Sequence, residues 1–424
     1  MPDRGEAIEL SIEKPAAGGR MLARHNGKVV FVHGAIPGER VRARLERVER
    51  QLSFASVSEI LEPSPDRRQP ATDLLCGGCT YAHIVYPRQL TLKAELIQEA
   101  FARLGKVPLD AAVVVQASPE RGYRLKARFH VSAGRVGFYR EATHELCDAA
   151  TTGQLREDSV TAAIASVEAA IAIAPLTSAE LSENIAADER VMYLEGQPGE
   201  IVPATALEAA MNAGGLTGCS SASAGEERAV GIPVVTDPMP VLTGGRAKSG
   251  QLQRHAESFF QANRYLLADL VATVHESVLP EGEVVDLYAG VGLFSISLAH
   301  AGRQGIVAVE GNRTSVNDLM ANASACGQSV RVVFGSVEDF LASSRIDAHT
   351  IIVDPPRTGM SRAAMEAVIR AAARRVVYVS CDPPTLARDA RRLIDAGYRL
   401  SSLRAFDLFP NTPHVETVCV FDRS

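Results

Sequence analysis

No stretch of the 424-residue sequence approaches the roughly 20 consecutive apolar residues of a membrane-spanning helix. Residues 1–15 lack the basic-then-apolar pattern of a secretion signal. The cytoplasm is therefore the expected location, with no membrane partner. Seven cysteines are an odd number and most are scattered, so a disulfide framework is not expected. Positive charge is not in excess either: 44 Lys and Arg against 50 Asp and Glu leave a net charge of −6. That excludes a uniformly basic coat but not local basic patches. At this length one core does not suffice, and about two or three domains are expected. Nothing in the sequence demands an oligomer, and a monomer is expected.

What is present falls into three textures. Residues 5–62 carry the runs IELSIEK, GKVVFV, GERVRARLERV and SFASVSEILE, with turn signals at His25-Asn26-Gly27 and Ile36-Pro37-Gly38. This predicts a small OB-like antiparallel barrel over 1–62. PSPDRRQP (63–70) reads as a linker. Over 87–105, Leu92, Leu96, Ile97, Ala100, Phe101 and Leu104 recur at helical spacing, with Gly105 as a stop and Pro108 beyond. That helix is expected to pack on the C-terminal domain.

Residues 121–140 hold six Lys or Arg and no Asp or Glu. Arg124, Lys126 and Arg128 alternate with Leu125, Ala127 and Phe129, so a strand with one basic and one apolar face is predicted. Tyr123, Phe138 and Tyr139 would add stacking surfaces for single-stranded RNA; the plain alternative is a solvated sheet face. Residues 150–250 are rich in Ala, Gly and Ser and carry few signals, and 70–250 is read as one α+β central domain. From 252 to 424, strand-turn-helix alternation predicts an α/β fold with a doubly wound parallel sheet.

The chemistry concentrates there. EVVDLYAGVGLFSISLAHAG is a buried strand, a glycine turn at Gly290 and Gly292, and a helix whose free N–H groups suit a ligand. Glu310, ending the next strand, suits a ribose. NAD enzymes share this pattern. HTIIVDPPRTG and RRVVYVSCDPP then end two more strands at Asp354 and Cys381. In such a sheet Asp286, Glu310, Asp354 and Cys381 would surround one crevice. An acid-Pro-Pro turn beside an adenosine site suggests S-adenosylmethionine-dependent methylation. Enzymes that methylate exocyclic amines place an aromatic residue where this chain has Arg357, which argues against that reaction.

A cysteine in the crevice suits methylation of a pyrimidine at C5. That carbon is a poor nucleophile until a thiolate adds to C6, and a base must afterwards remove the C5 proton. An isolated cysteine is more often a small core residue, but the place of Cys381 beside the cofactor strands reverses that reading. The following helix favours a thiolate, whereas Asp382 opposes it. Glu416, flanked by His414 near the start of the strand PHVETVCVF, is the candidate base, although residue type alone suggests a surface glutamate.

These motifs resemble the RNA (uracil-5-)methyltransferases, particularly the 23S ribosomal RNA branch. ESFFQAN (257–263), DLYAGVGLFS, DPPRTG, SCDPPTLARD and HVETV occur in the family's order. CGGCTYAH and GYRLKARF extend the likeness into the middle, and 5–62 resembles the family's RNA-binding TRAM barrel. The resemblance implies a Rossmann-like class I methyltransferase domain and S-adenosylmethionine contacts from Gln261, Tyr288, Glu310 and Asp354. It makes Cys381 the nucleophile and Glu416 the base, with 23S rRNA as partner. It also implies metal-binding Cys76, Cys79 and Cys147, three of the four ligands of a 4Fe-4S cluster; Pro70 stands where the first cysteine would be. Asp73 or an outside ligand would complete a cluster, and zinc or a degraded site are the alternatives. Two rival functions are tRNA uridine methylation and a non-catalytic RNA-binding or redox-sensing protein. Against the first, tRNA-acting relatives generally lack the barrel and the cysteines.

Overall fold

The structure is a computed structural model that describes residues 4–141, 143–343 and 348–423. Five strands close the barrel in the order β1-β2-β3-β5-β4: β1 (Ala7–Pro15), β2 (Met21–His25), β3 (Lys28–His33), β4 (Arg40–Val48) and β5 (Leu52–Glu62). Alternate residues fill it, among them Ile8, Leu10, Ile12, Val41, Ala43 and Leu45. The β2–β3 hairpin turns on Asn26 and Gly27, both in the left-handed region that a two-residue primed turn requires. β2 was not among the runs read as strands; five residues beside a basic turn carry too little alternation.

PSPDRRQP is not a free linker. Arg67 pairs with the fully buried Glu39, whose carboxylate also accepts the Ile36 and Ser64 N–H groups. Arg68 reaches Ala82 O, Glu120 and Asn411. Tyr81, Ile84 and Leu92 then complete the barrel core. Leu92 belongs to α1 (Tyr86–Ala100), whose other buried apolar residues, Ile97 and Ala100, join the C-terminal core. The helix ends in one wider turn, Phe101–Gly105, and the chain reaches β6 (Val115–Gln116).

The central unit is a seven-stranded sheet in the order β13-β12-β11-β10-β7-β8-β9. Its strands are β7 (Lys126–Ser132), β8 (Arg135–Tyr139), β9 (Leu146–Cys147), β10 (Leu176–Glu183), β11 (Arg190–Gly196), β12 (Gly218–Ser223) and β13 (Glu226–Gly231). Two helices cover it, α2 (Glu157–Ile171) and α3 (Ala204–Gly214). They approach closely through small side chains: a Cβ on Gly214 would stand 1.9 Å from Ser166 Oγ. Alanine contributes little hydrophobic contrast, so the period of these helices is faint in the sequence.

The apolar face predicted for β7 exists, with Leu125 just before it and Ala127 and Phe129 within it all buried. The basic face is corrected. Lys126 is buried and bound to Glu180 at 3.0 Å, and Arg128 pairs with Glu195, because β10 and β11 bring acids alongside. Tyr123 and Phe138 are core residues, not stacking surfaces. Tyr139 remains half-buried, stacked on His130 at 3.7 Å.

β14 (Val234–Pro238), α4 (Met239–Leu242) and β15 (Gln251–His255) lead into the C-terminal unit. Its helices are α5 (Leu267–Ser277), α6 (Leu293–His300), α7 (Arg313–Ser324), α8 (Val337–Ser343), α9 (Arg362–Ala371) and α10 (Pro383–Asp395). The strands are β16 (Glu283–Leu287), β17 (Ile306–Glu310), β18 (Val330–Phe334), β19 (Ala348–Val353), β20 (Arg375–Ser380), β21 (Tyr398–Phe406) and β22 (Glu416–Arg423). With β6 they form an eight-stranded sheet, order β18-β17-β16-β19-β20-β22-β21-β6. The first five strands are parallel, and β22 runs antiparallel to β20 and β21. Both faces are covered, so successive strand residues feed two cores, Val285 and Leu287 into one and Val284 into the other.

Lys93 of α1 and Asp407, just after β21, form a fully buried ion pair, and Lys93 also bonds Phe409 O. Replacing only one partner leaves an uncompensated charge, which costs about 3–5 kcal/mol. Lys93→Ala is expected to lower unfolding stability by that order in urea titration. The double variant Lys93→Met, Asp407→Leu is expected to recover most of the loss.

Candidate functional site

The turn after β16 begins the site. Tyr288 and Gly290 both take positive φ, and nothing lies within 4 Å of where a Cβ on Gly290 would point. Gly292 has a packing reason instead, since its Cβ would meet Ile296 at 2.4 Å. Glu310, at the end of β17, accepts the Gly290 N–H at 2.7 Å and that of Asn312. Gln261 donates to Asp354 at 3.2 Å. These residues, with Tyr288, Phe260 and Phe294, line a cavity of about 500 Å³ that also touches Arg357, Cys381 and Glu416.

Of the four residues expected around one crevice, Asp286 lies elsewhere. It is buried beneath the turn, where one carboxylate oxygen accepts the Ser295 N–H of α6 and the other has no partner. Burial pushes it up to about 7, against the bonds from Ser295. Asp354 is also held up at about 7, first by burial and then by Asp286.

Cys381 follows the last residue of β20. Ser380 pairs with Thr417 in the antiparallel register, and Thr417 Oγ1 donates to Ser380 O at 2.9 Å. One further step brings Cys381 opposite Glu416. Glu416 is 2% exposed, so the surface reading suggested by its residue type is overturned. Burial raises its carboxyl well above the usual range, Asp354 adds to this and Arg357 opposes it. Burial likewise pushes the Cys381 thiol up to about 12; Glu416 adds to the rise, and the neighbouring Arg357 guanidinium works against it. His414 is half-buried, and desolvation depresses its imidazole to about 4, so it is neutral at physiological pH.

Asp382 now has a structural explanation. Its side chain caps α10 by accepting the Thr385 N–H at 2.9 Å, and Thr385 Oγ1 donates to Arg357 O at 3.3 Å. It anchors the turn that presents Cys381. The contact of Arg357 with the thiol was missed in the sequence, where this residue served only to exclude amine methylation. Its position in an acid-Pro-Pro-Arg turn was the available signal.

Cys381 and Arg357 also line a second cavity, of about 380 Å³, on the side away from Gln261 and Glu310. Its other walls are Lys14–Gly18 and Leu22 of the barrel, Leu96–Leu104 of α1 and the wider turn that follows it, and Pro413–His414. The thiol thus stands between two chambers.

The metal expectation is not supported. Cys76, Cys79 and Cys147 do converge, but Cys76 and Cys147 are joined as a disulfide, which removes both as thiolate ligands. Cys79 is a free, buried thiol pushed up to about 12 by burial. Asp73 is engaged by Arg140 at 2.6 Å. Among the described residues no group of three ligating side chains could hold an ion, and the cysteine set does not fit a four-thiolate cluster.

Comparison with known proteins matches residues 243–424 to the family described as tRNA (uracil-5-)-methyltransferase and residues 3–58 to the TRAM domain. An uncharacterized RNA methyltransferase of Streptomyces coelicolor is 33% identical over 99% of this chain and 93% of its own. A Pseudomonas putida protein named 23S rRNA (uracil(1939)-C(5))-methyltransferase RlmD is 30% identical over 99% of this chain and 94% of its own. Among solved structures, the Pyrococcus abyssi tRNA (uracil-54, C5)-methyltransferase in complex with S-adenosyl-L-homocysteine superposes with a TM-score of 0.75. It covers 97% of this chain and 99% of its own at 23% identity, a likeness of fold. That coverage includes most of the barrel, so a barrel does not by itself separate rRNA-acting from tRNA-acting proteins.

A thiol at about 12 is protonated at neutral pH. Iodoacetamide labelling of Cys381, followed by peptide mass spectrometry, is expected to rise about tenfold per pH unit from pH 7 to 10. Arg357→Ala removes the adjacent cation and is expected to slow labelling at every pH in that range.

Proposed function

Since the chain belongs to the tRNA (uracil-5-)-methyltransferase family, and is an S-adenosylmethionine-dependent RNA (uracil-5-)methyltransferase, we propose that it methylates one uridine of 23S ribosomal RNA through Cys381 and Glu416. The observation that carries this reading is the position of Cys381 between two cavities, with Glu416 opposite it. One cavity suits the methyl donor and the other admits a base swung out of its stack.

Gln261, Tyr288, Glu310 and Asp354 hold S-adenosylmethionine, which supplies an electrophilic methyl carbon. Open space at Gly290 lets an adenosine approach the backbone, and the two Glu310 oxygens are placed to accept from ribose hydroxyls. The Cys381 sulfur forms a bond to uracil C6, and the displaced electron pair makes C5 nucleophilic. C5 gains the methyl group as the donor's sulfur–methyl bond breaks and leaves S-adenosylhomocysteine. The Glu416 carboxylate then takes the C5 proton, the C5–C6 double bond re-forms, the C6–S bond breaks and Cys381 leaves as thiolate.

Electrostatics gives this sequence an order. Burial makes Cys381, Asp354 and Glu416 all resist ionisation; Asp354 adds to the rise of the other two, Glu416 to that of Cys381, and Arg357 counters the rise of Cys381 and Glu416. A positive charge entering the adjoining cavity makes all three ionise more readily. Cys381 therefore becomes a nucleophile chiefly when the cationic donor is in place.

The Pseudomonas putida relative favours 23S rRNA. The test is mass spectrometry of rRNA and tRNA from a strain lacking the gene. Loss of one 5-methyluridine from 23S rRNA is expected; loss from tRNA with rRNA unchanged would transfer the assignment to tRNA. Cys381→Ala is expected to abolish both turnover and covalent trapping by 5-fluorouridine RNA, and retained activity would overturn its role. Glu416→Gln is expected to accumulate the covalent RNA adduct, since elimination requires the C5 proton to leave first.

A further inference from the structure

We propose that Asp389 is a positioning residue for the reaction: it holds the turn bearing Arg357 against the strand that ends at Cys381, and so sets the guanidinium beside the thiol. This rests on the methylation reading above, which uses Cys381 and Arg357 but not this acid. Asp389 lies on α10 and is fully buried. Its Oδ2 accepts the Tyr378 Oη–H at 2.9 Å and the Met360 N–H at 3.2 Å. Its Oδ1 accepts Arg388 Nε at 2.9 Å, and the same guanidinium reaches Oδ2 through Nη2 at 3.1 Å. Arg392 stands further out, at 3.5 Å from Oδ1.

The donors come from the elements that surround the thiol. Tyr378 stands on β20, three residues before Cys381. Met360 closes the turn that carries Arg357, and Arg388 Nη2 also donates to Thr358 O in that turn at 3.2 Å. The bond from Thr385 Oγ1 to Arg357 O is a further tie between α10 and the turn. The approach is close: Gly359 takes positive φ, and a Cβ there would meet Arg388 Nη2 at 2.5 Å and Asp389 Oδ2 at 2.8 Å. Arg357 itself is exposed, so its backbone, rather than packing around its side chain, fixes where the guanidinium stands.

The position calls for a carboxylate, not merely a polar side chain. Each of these groups donates to it, and burial, followed by Asp389 itself, pushes the Tyr378 phenol up, which keeps that proton in place. An asparagine of the same shape would turn its NH2 either on Met360 N–H and Arg388 Nη2 or on Arg388 Nε, donor against donor. Asp389 does not act on the thiol directly, since the charges that bear on Cys381 are Glu416, Arg357 and Asp354. Its influence runs through the turn and Arg357.

The test is the rate of Cys381 labelling by iodoacetamide in full-length protein, read by peptide mass spectrometry. Asp389→Asn is expected to slow labelling about threefold or more, the effect of ~0.5 pKa unit. Loss of a nearby negative charge, or a loosened site, would speed it instead, so the sign separates positioning from both. In an Arg357→Ala background the same substitution is expected to change the rate by less than about 1.5-fold, because the residue it positions is gone. Arg388→Gln, at a half-buried site, is expected to behave likewise and decides the question if Asp389→Asn does not fold; a wild-type far-ultraviolet circular dichroism spectrum reports the fold. Unchanged or faster labelling in the folded variant, or equal slowing without Arg357, overturns the proposal. Failure of the wild-type protein to methylate rRNA or tRNA overturns the function instead, and the labelling does not depend on it.

Discussion

The site depends on one antiparallel strand in an otherwise parallel run. β22 inserts beside β20 in the opposite direction, so its first residue lies at the carboxyl end of β20, where the crevice opens. A parallel strand would have brought its last residue there instead. The Ser380–Thr417 pair then carries Cys381 and Glu416 to facing positions. Because side chains alternate along a strand, a slip of one residue would turn Glu416 to the other face of the sheet.

That juxtaposition has an electrostatic cost. A thiol and two carboxyls share a buried volume; burial raises all three first, and the neighbouring carboxyls add to it while Arg357 opposes the rise of Cys381 and Glu416. Ionisation of each of these groups is therefore disfavoured relative to its ordinary range. In the proposed reaction the donor is a cation, and added positive charge favours ionisation of groups raised in this way. Asp382, the remaining acid in the turn, is spent on capping α10 and leaves the thiol to Arg357.

Buried ion pairs hold the surrounding loops, and one of them, Glu183–Arg264, joins the central sheet to the C-terminal unit. Glu183 of the central sheet binds Arg190 and Arg264, and Arg254 bonds Asp237 while lying 3.9 Å from the centroid of Phe260. Asn263 donates to Ser118 and to the Leu408 carbonyl, tying the Gln261 loop to the chain that leads into β22. The loops on both sides of the crevice thus rest on one polar framework. Such charges are costly to bury singly, so the framework forms together with the packing of the units or not at all.

Much of the C-terminal unit was legible because buried parallel strands read as continuous apolar runs ending in Glu310, Asp354 and Cys381. The barrel was legible from its alternation and its Asn-Gly turn. The Asp382 cap was also there to be read, as an acid three residues before Thr385 at a helix start. The Ala-rich helices of the central unit were not, since their packing relies on close approach at Gly214 rather than on contrast between apolar and polar faces. Local residue type and spacing determined which chemical groups the chain carries and which strands end in them. Only the tertiary structure decided that Lys126 and Arg128 meet acids, that Cys76 bonds Cys147 across 71 residues, and that Glu416 is buried opposite Cys381. Each of these is a pairing between segments far apart in the chain, set by strand order and direction, which no local pattern encodes.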